Sequence, residues 1–368
     1  MVICIAEDRQ REEIAVKLLL LSLAKHCPDV PIELFFPPAT EAFKAWAAAL
    51  PQVHLRTTPI ATAAGWDIKP YALLKLLTEG HREVWWIDSD IIVTRDFRQT
   101  IAPLTDADLV ITEEALYGHY RDEGYRARAW GFAIGRSLPF NLNSGVMRVT
   151  QAHRLLLQQW QQLLETEVYQ QAQQQPYGQK PFHLFGDQDV LTALLSTQEF
   201  AHIPLRILKR GTAIIQYFGL AGYTIAERLQ NLVDGMPPFI HAQREKPWHR
   251  SLIPPGLKPL RPYLDFVQMD ISPYCFAAAP YRSQFAEDLP WLDAHSRLGK
   301  ILRGLGLGNA AFTGLPIALG YSLIRAIKQM RGIDDRFDPQ QAYQRVILAQ
   351  TDEQTAGKAS MEKVETIY

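Results

Sequence analysis

The first 36 residues read as strand, helix, strand, and that order leaves few architectures open. Val2-Ile3-Cys4-Ile5-Ala6 is an unbroken apolar run with the length of a buried strand. Residues 12–26 (EEIAVKLLLLSLAKH) have the length and apolar density of a helix, and Pro28 and Pro31 end it. Ile32-Glu33-Leu34-Phe35-Phe36 then reads as the next strand. A strand, a crossover helix and a second strand in so short a span are the unit of an open, mostly parallel sheet covered by helices. The pattern continues. Residues 70–80 read as a helix, opened by Pro70 and closed by Gly80. Glu83–Ile87, Asp108–Ile111 and Gly145–Val149 read as strands, and residues 151–175 and 187–196 as helices. Residues 113–140, with four glycines and no clean period, read as a long functional loop. No repeat is apparent.

Composition narrows the function classes. A chain of 368 residues that is 47% hydrophobic can bury a large core, so one domain, or one domain with an appendage, is expected. The net charge of −1 supplies no basic field for nucleic acid. Cys4, Cys27 and Cys275 are far apart and match no metal or redox spacing, which fits a reducing compartment. Glu7 and Asp8 interrupt the opening apolar run before it reaches secretory length, so a location in the cytoplasm, free or at the inner face of a membrane, is expected.

The strongest local signal is Asp88-Ser89-Asp90, which follows the apolar Val84-Trp85-Trp86-Ile87. In open α/β sheets, ligands gather at the carboxyl ends of strands. Two carboxylates separated by one small residue can be aimed at a single hard cation, Mg²⁺ or Mn²⁺, of the kind that neutralises a departing diphosphate. D-x-D triplets are common on surfaces, but the apolar runs on both sides make a loop-capping accident a weaker account. His241, after Pro238-Phe239-Ile240, is either a lone core or surface histidine or a nitrogen ligand, and with two carboxylates that mixture favours Mn²⁺. Lys246-Pro247-Trp248 follows, with an ammonium for diphosphate oxygens. Asn143, Ser144 and Gly145 suit hydrogen bonding to sugar hydroxyls, or form an ordinary turn. Asp187-Gln188-Asp189 opens a helix, where the aspartates either face a substrate or satisfy the helix terminus. Ala6, Glu7 and Asp8 close the first strand, where a carboxylate accepts from a nucleobase or ribose or simply serves the turn. Lys69 is placed to meet a phosphate or sugar, or stands exposed at a helix start.

Together these segments resemble retaining glycosyltransferases of the GT-A fold, most closely glycosyltransferase family 8, the galactosyltransferase and glycogenin kind. The resemblance covers roughly residues 1–250 and rests on five motifs in the right order: Ala6-Glu7-Asp8, Asp88-Ser89-Asp90, Asn143-Ser144-Gly145, Asp187-Gln188-Asp189, and His241 with Lys246-Pro247-Trp248. It implies a Rossmann-like mixed sheet flanked by helices, Mn²⁺ (or Mg²⁺) on Asp88, Asp90 and His241, and Lys246 on the donor diphosphate. It further implies Asp8 near the base, Asn143 and Gly145 lining the donor-sugar pocket, Asp187 on sugar hydroxyls and Gln188 near the anomeric carbon. The donor would be a nucleotide-sugar, often a UDP-sugar, and the acceptor a glycan, a lipid-linked compound or a small molecule. Two departures stand out. The family's H-x-x-G-x-x-K-P-W is one residue shorter here and lacks the glycine, and its Asn-Tyr after the acidic pair is Arg9-Gln10.

Beyond residue 250 the character changes. Residues 251–334 are expected to form a C-terminal helical extension and residues 335–368 a polar tail. The uncharged stretch 305–324, flanked by Lys300, Arg303, Arg325, Lys328 and Arg331, leaves three arrangements open. It is a helix packed on the enzyme or on a second copy in a homo-oligomer, an interfacial segment in peripheral contact with a membrane, or a true span. Two other functions compete with sugar transfer. A nucleotidyltransferase that makes nucleotide-sugars needs a glycine-rich phosphate loop after the first strand, and Glu7-Asp8-Arg9-Gln10 has no glycine. A non-catalytic sugar- or membrane-binding scaffold predicts indifference to loss of Asp88.

Overall fold

The runs that read as buried strands form the centre of a seven-stranded sheet. The structure, a computed structural model, describes residues 1–60, 65–99, 101, 103–114, 122–219, 222–243, 246–249, 271–286, 289–293, 297–305, 307–331, 340 and 342–347. Its strands are β1 (Val2–Ala6), β2 (Ile32–Phe35), β3 (Val53–Arg56), β4 (Glu83–Ile87), β5 (Ile91–Val93), β6 (Leu109–Glu113), β7 (Leu142–Thr150), β8 (Leu205–Leu208), β9 (Ile214–Gln216) and β10 (Phe239–His241). The helices that matter here are α1 (Glu13–His26), α2 (Glu41–Ala47), α3 (Ile68–Thr78), α4 (Tyr125–Ala129), α5 (Arg154–Leu164), α6 (Glu167–Gln173), α7 (Asp187–Ser196) and α8 (Ile225–Asp234).

The large sheet runs β3-β2-β1-β4-β7-β6-β8, and every pairing is parallel except the two that β7 makes. This is the mixed, mostly parallel, helix-flanked sheet expected from the sequence. β1 shows why its run has no polar residue. Val2, Cys4 and Ala6 join a core with α3, α5 and α7, while Ile3 and Ile5 join a second core with α1 and α2. β4 does the same, with Val84 and Trp86 on one face and Trp85 and Ile87 on the other. A strand covered on both faces needs apolar side chains at every position.

From β1 the chain builds outward through β2 to β3, then returns to place β4 on the other side of β1. Such a reversal opens a crevice at the carboxyl ends of the two strands. Glu7 and Asp8 leave β1 there, and Asp88 leaves β4 there. The next residues, β5, start a separate three-stranded sheet of order β5-β10-β9. Its apolar face packs with Tyr274 and Trp291, from the described part of the C-terminal region.

Several expectations shift. Asn143-Ser144-Gly145 is not a turn before a strand. It lies within β7, which starts at Leu142 because β6 pins its first residues and β4 its last. The register against β6 slips between Ile111 and Thr112, so β7 bulges beside the crevice. The helix expected over 151–175 is two. Leu156, Leu157, Trp160 and Leu164 form the buried stripe of α5, but Val168, next on that stripe, is 51% exposed. Breaking at Thr166 re-aims the chain so that Tyr169 and Ala172 are buried instead. The loop expected over 113–140 contains α4, and residues 115–121 of it lie outside the described residues. So do Pro254, Pro255, Pro259 and Pro262 and most of the polar tail. The uncharged stretch 305–324 is divided between a short helix, Ala310–Thr313, and a longer one, Leu315–Met330. Among the described residues no helix is long and apolar enough to cross a membrane.

Candidate functional site

All the site residues expected from the sequence, except Ser144 and Gly145, line one cleft of about 600 Å³ at the crevice between β1 and β4. Asp88 and Asp90 flank a tight turn in which the Ile91 amide donates to the Asp88 carbonyl (3.1 Å). Ser89 points away and donates to Glu7 (2.7 Å), tying the D-S-D turn to the end of β1. His241 reaches this turn through the small sheet, where it pairs with Ile91 across β5 and β10. Its Nε2 lies 3.3 Å from Asp90. Asp88, Asp90 and His241 offer one ligand atom each, all within 4.8 Å of one another. Burial pushes the His241 imidazole below its usual range, against the pull of Asp88 and Glu114. The ring is therefore neutral near pH 7, which is the form that binds metal. Its Nδ1 is buried without a hydrogen-bond partner. Two carboxylates and a neutral imidazole that carries an unsatisfied nitrogen fit a divalent cation.

Gly145 explains itself by proximity. Its carbonyl accepts from the Asp88 amide (2.8 Å). A Cβ there would stand 2.9 Å from Cε1 of His241 and 2.8 Å from Oδ1 of Asn143. The missing side chain is what lets the imidazole lie against β7. Gly145 thus sits behind the cleft wall, and its contribution is room for His241.

Two amines stand beside the carboxylates. Lys69, buried on the first turn of α3, donates to Ser144 (2.7 Å) and lies 3.3 Å from both Asp88 and Asp187. Burial works against its charge, but Asp187 and Asp88 together hold its pKa above the usual range. Ser144 in turn donates to Asp187 (2.8 Å). Lys246 contacts Asp90 and donates to the Ala242 carbonyl (2.7 Å), and burial pushes its ammonium down to about 8. The shortened motif leaves Arg244 and Glu245 outside the described residues. Trp248 anchors the segment by packing on Tyr274 and donating to Glu12 (2.7 Å).

Sequence reasoning missed Glu114. It follows β6 as Asp88 follows β4, is 4% exposed, and accepts from Asn143 (3.0 Å), Gln188 (2.7 Å) and Gln243 (2.9 Å). Asn143 also donates to Oε1 of Gln188 (3.0 Å). The orientation of Gln188 is therefore set by a carboxylate and an amide rather than by solvent. Trp66 was also passed over. It is 55% exposed on the cleft rim, with its ring 3.6 Å from where a Cβ on Gly186 would stand.

The remaining acidic residues are committed to protein partners. Glu7 is held by Arg9 (2.7 Å), and Asp8 accepts from the Gly65 amide (2.7 Å) while still lining the cleft. Asp187 is the first residue of α7, after Gly186 at the N-cap, and is held by Ser144 and Lys69. Asp189 accepts from Arg126 (2.9 Å) and Asn141 (3.2 Å), and burial pushes its carboxyl up to about 6 despite Arg126.

No protein-family model and no curated protein matches the sequence. Solved structures do, at low identity. The bifunctional glycosyltransferase WbbM is matched over 67% of this chain, at 15% identity and a TM-score of 0.44. This chain spans only 46% of WbbM. The glycosyltransferase GlyE of Streptococcus pneumoniae TIGR4 is matched over 77% of this chain and 63% of its own, at 15% identity and a TM-score of 0.43. The galactosyltransferase LgtC, solved with donor and acceptor sugar analogues, is matched over 77% of this chain and 100% of its own, at 16% identity and a TM-score of 0.43.

Proposed function

We propose that this chain is a metal-dependent glycosyltransferase of the GT-A type that takes a sugar from a nucleotide-diphospho-sugar, a UDP-sugar by preference, and transfers it with retention to a glycan, lipid-linked or small-molecule acceptor. The observation that carries this reading is the meeting of Asp88, Asp90 and His241 at the crevice between β1 and β4, with Lys69 and Lys246 beside them. Residues 1–250 form the transferase unit, with an extension over 251–334 and a tail over 335–368.

A divalent cation on Asp88, Asp90 and His241 neutralises charge on the leaving diphosphate when bound. The chain's own groups do the rest. Lys246, which lies against Asp90, would donate to a diphosphate oxygen of the donor. Asp187, aligned by Ser144 and Lys69, accepts from donor-sugar hydroxyls, and Asp8 accepts from the nucleoside. Glu114 and Asn143 hold the Gln188 amide toward the reacting carbon. Among the described residues that line the cleft each carboxylate has a protein partner, so positioning and electrostatic stabilisation supply the acceleration. The exposed face of Trp66 offers a sugar an apolar surface at the rim.

The test is nucleotide release from a panel of UDP-, GDP- and other nucleotide-sugars with Mn²⁺, Mg²⁺ or EDTA. Slow release from one donor, fastest with Mn²⁺ and lost in EDTA, is expected. No release from any donor, with no metal-dependent rise in melting temperature on adding UDP or GDP, would overturn the proposal. Gly145→Ala gives a second check, because its Cβ displaces the His241 ring. Calorimetric titration is expected to show Mn²⁺ affinity lowered about tenfold, the equivalent of ~1.4 kcal/mol of overpacking. Unchanged affinity would remove His241 from the ligand set.

A further inference from the structure

We propose that the helix Leu315–Met330 is an in-plane anchor that docks this chain on an anionic lipid surface. The inference goes beyond sugar transfer and does not depend on it, since no residue of this helix lines the cleft. The helix is rooted on the body. Arg228 of α8 donates to the Ala310 carbonyl, and its guanidinium fills the space a side chain at Gly314 would need. Ala310, Ala311 and Ala318 are buried at this root. From Leu319 onward the burial ends. Leu319 is 52% exposed, Leu323 62% and Met330 78%, and Ile324 and Ile327 are exposed as well.

The spacing of these residues is ordered. Leu319, Leu323, Ile327 and Met330 fall at intervals of four, four and three, which places them on one stripe of a helix, with Ile324 at its edge. Tyr321, Arg325 and Lys328 fall on the opposite side, with Ser322 and Gln329 on one flank. An exposed apolar stripe backed by basic residues is the pattern of helices that lie in a membrane interface.

Charge decides between occupants. From Arg297 to Arg331 the chain carries Arg297, Lys300, Arg303, Arg325, Lys328 and Arg331 with no aspartate or glutamate, while the whole chain stands at −1. A second copy of the segment would bring its six cations against six more with no acid inside the segment itself, whereas an anionic headgroup layer complements them. Crossing the bilayer does not fit. A helix of 16 residues is about 24 Å long, short of a hydrocarbon core of ~30 Å.

The experiment is co-sedimentation of the full chain with vesicles of phosphatidylcholine alone and of phosphatidylcholine mixed with phosphatidylglycerol. The chain is expected to pellet with the mixed vesicles, to be released by high salt, and to stay in the supernatant with phosphatidylcholine alone. Leu323→Asp/Ile327→Asp and Lys328→Glu/Arg331→Glu are each expected to lower partitioning at least about tenfold with an unchanged melting temperature. Failure of the wild-type chain to pellet with mixed vesicles would overturn the proposal. So would pelleting that the charge-reversed variant retains. Concentration-dependent self-association that Leu323→Asp/Ile327→Asp abolishes, without vesicle binding, would assign the stripe to a second copy instead.

Discussion

Asp90→Asn is expected to lower metal-dependent nucleotide release by about a thousandfold or more while the chain stays folded. The side chain keeps its shape, and asparagine still offers Oδ1 near His241, whose Nε2 lies 3.3 Å away. What it loses is the charge. A hard cation draws its affinity from anionic oxygens, and one of the two carboxylates in the triad would be gone. Metal stabilisation of a leaving group is worth several kcal/mol, and each ~1.36 kcal/mol is tenfold in rate. The variant should also lose any rise in melting temperature with Mn²⁺ plus nucleotide. Ser89→Ala is the matched control. It removes a hydroxyl that bonds Glu7 rather than the triad, so its metal response should persist. Asp90→Asn turnover within tenfold of the wild-type value would remove metal from the reaction.

The sequence carried the centre of the fold because β1 and β4 are covered on both faces, and two-sided burial writes itself as an unbroken apolar run. Asp88 and Asp90 were legible for a local reason, since two carboxylates at the end of such a run sit where ligands gather. The route of His241 was not legible. It depends on three-residue strands, β5 and β10, that pair across almost 150 positions of sequence. Three residues are too few to show a period. Glu114 was within reach, because it ends Leu109-Val110-Ile111-Thr112-Glu113 as Asp88 ends β4, and the same strand-end logic applies. The break between α5 and α6 was hidden for another reason. Leu and Gln suit a helix throughout, and only the competition between Val168 and Tyr169 for burial shows where it turns. Arg126 had no signal at all. A charge buried by pairing follows no periodicity, and it sits among residues that read as an irregular loop.

That buried arginine is expected to carry a large stability effect. Arg126 is 1% exposed and donates to Asp122 (2.8 Å) and Asp189 (2.9 Å), neither of which reaches solvent appreciably. Arg126→Met keeps the volume and leaves two buried carboxylates without their cation. Breaking a buried ion pair from one side costs about 3–5 kcal/mol. At ~2–4 °C per kcal/mol, the melting temperature should fall by roughly 6–20 °C. The loss should also depend on pH. Asp189 already sits near 6, above its unfolded value of about 3.9, so its folded state favours the proton. A carboxyl raised in this way adds stability at low pH and loses it as pH rises through the folded value. Without Arg126 the folded pKa climbs further, so thermal melts should show a wider gap from wild type at pH 8 than at pH 5. Removing the stranded charges should repair the defect. Arg126→Met/Asp122→Asn/Asp189→Asn is expected to melt closer to wild type than Arg126→Met does, because neutral groups tolerate the burial that lone carboxylates do not. A single variant that melts within ~3 °C of wild type at pH 8 would show that Asn141 and solvent already satisfy Asp189. The same network steadies the first turn of α7, where Asp187 and Gln188 face the cleft. Its loss should therefore slow turnover in the surviving folded fraction, with a larger effect on kcat than on metal affinity, because Asp88, Asp90 and His241 are held by other elements.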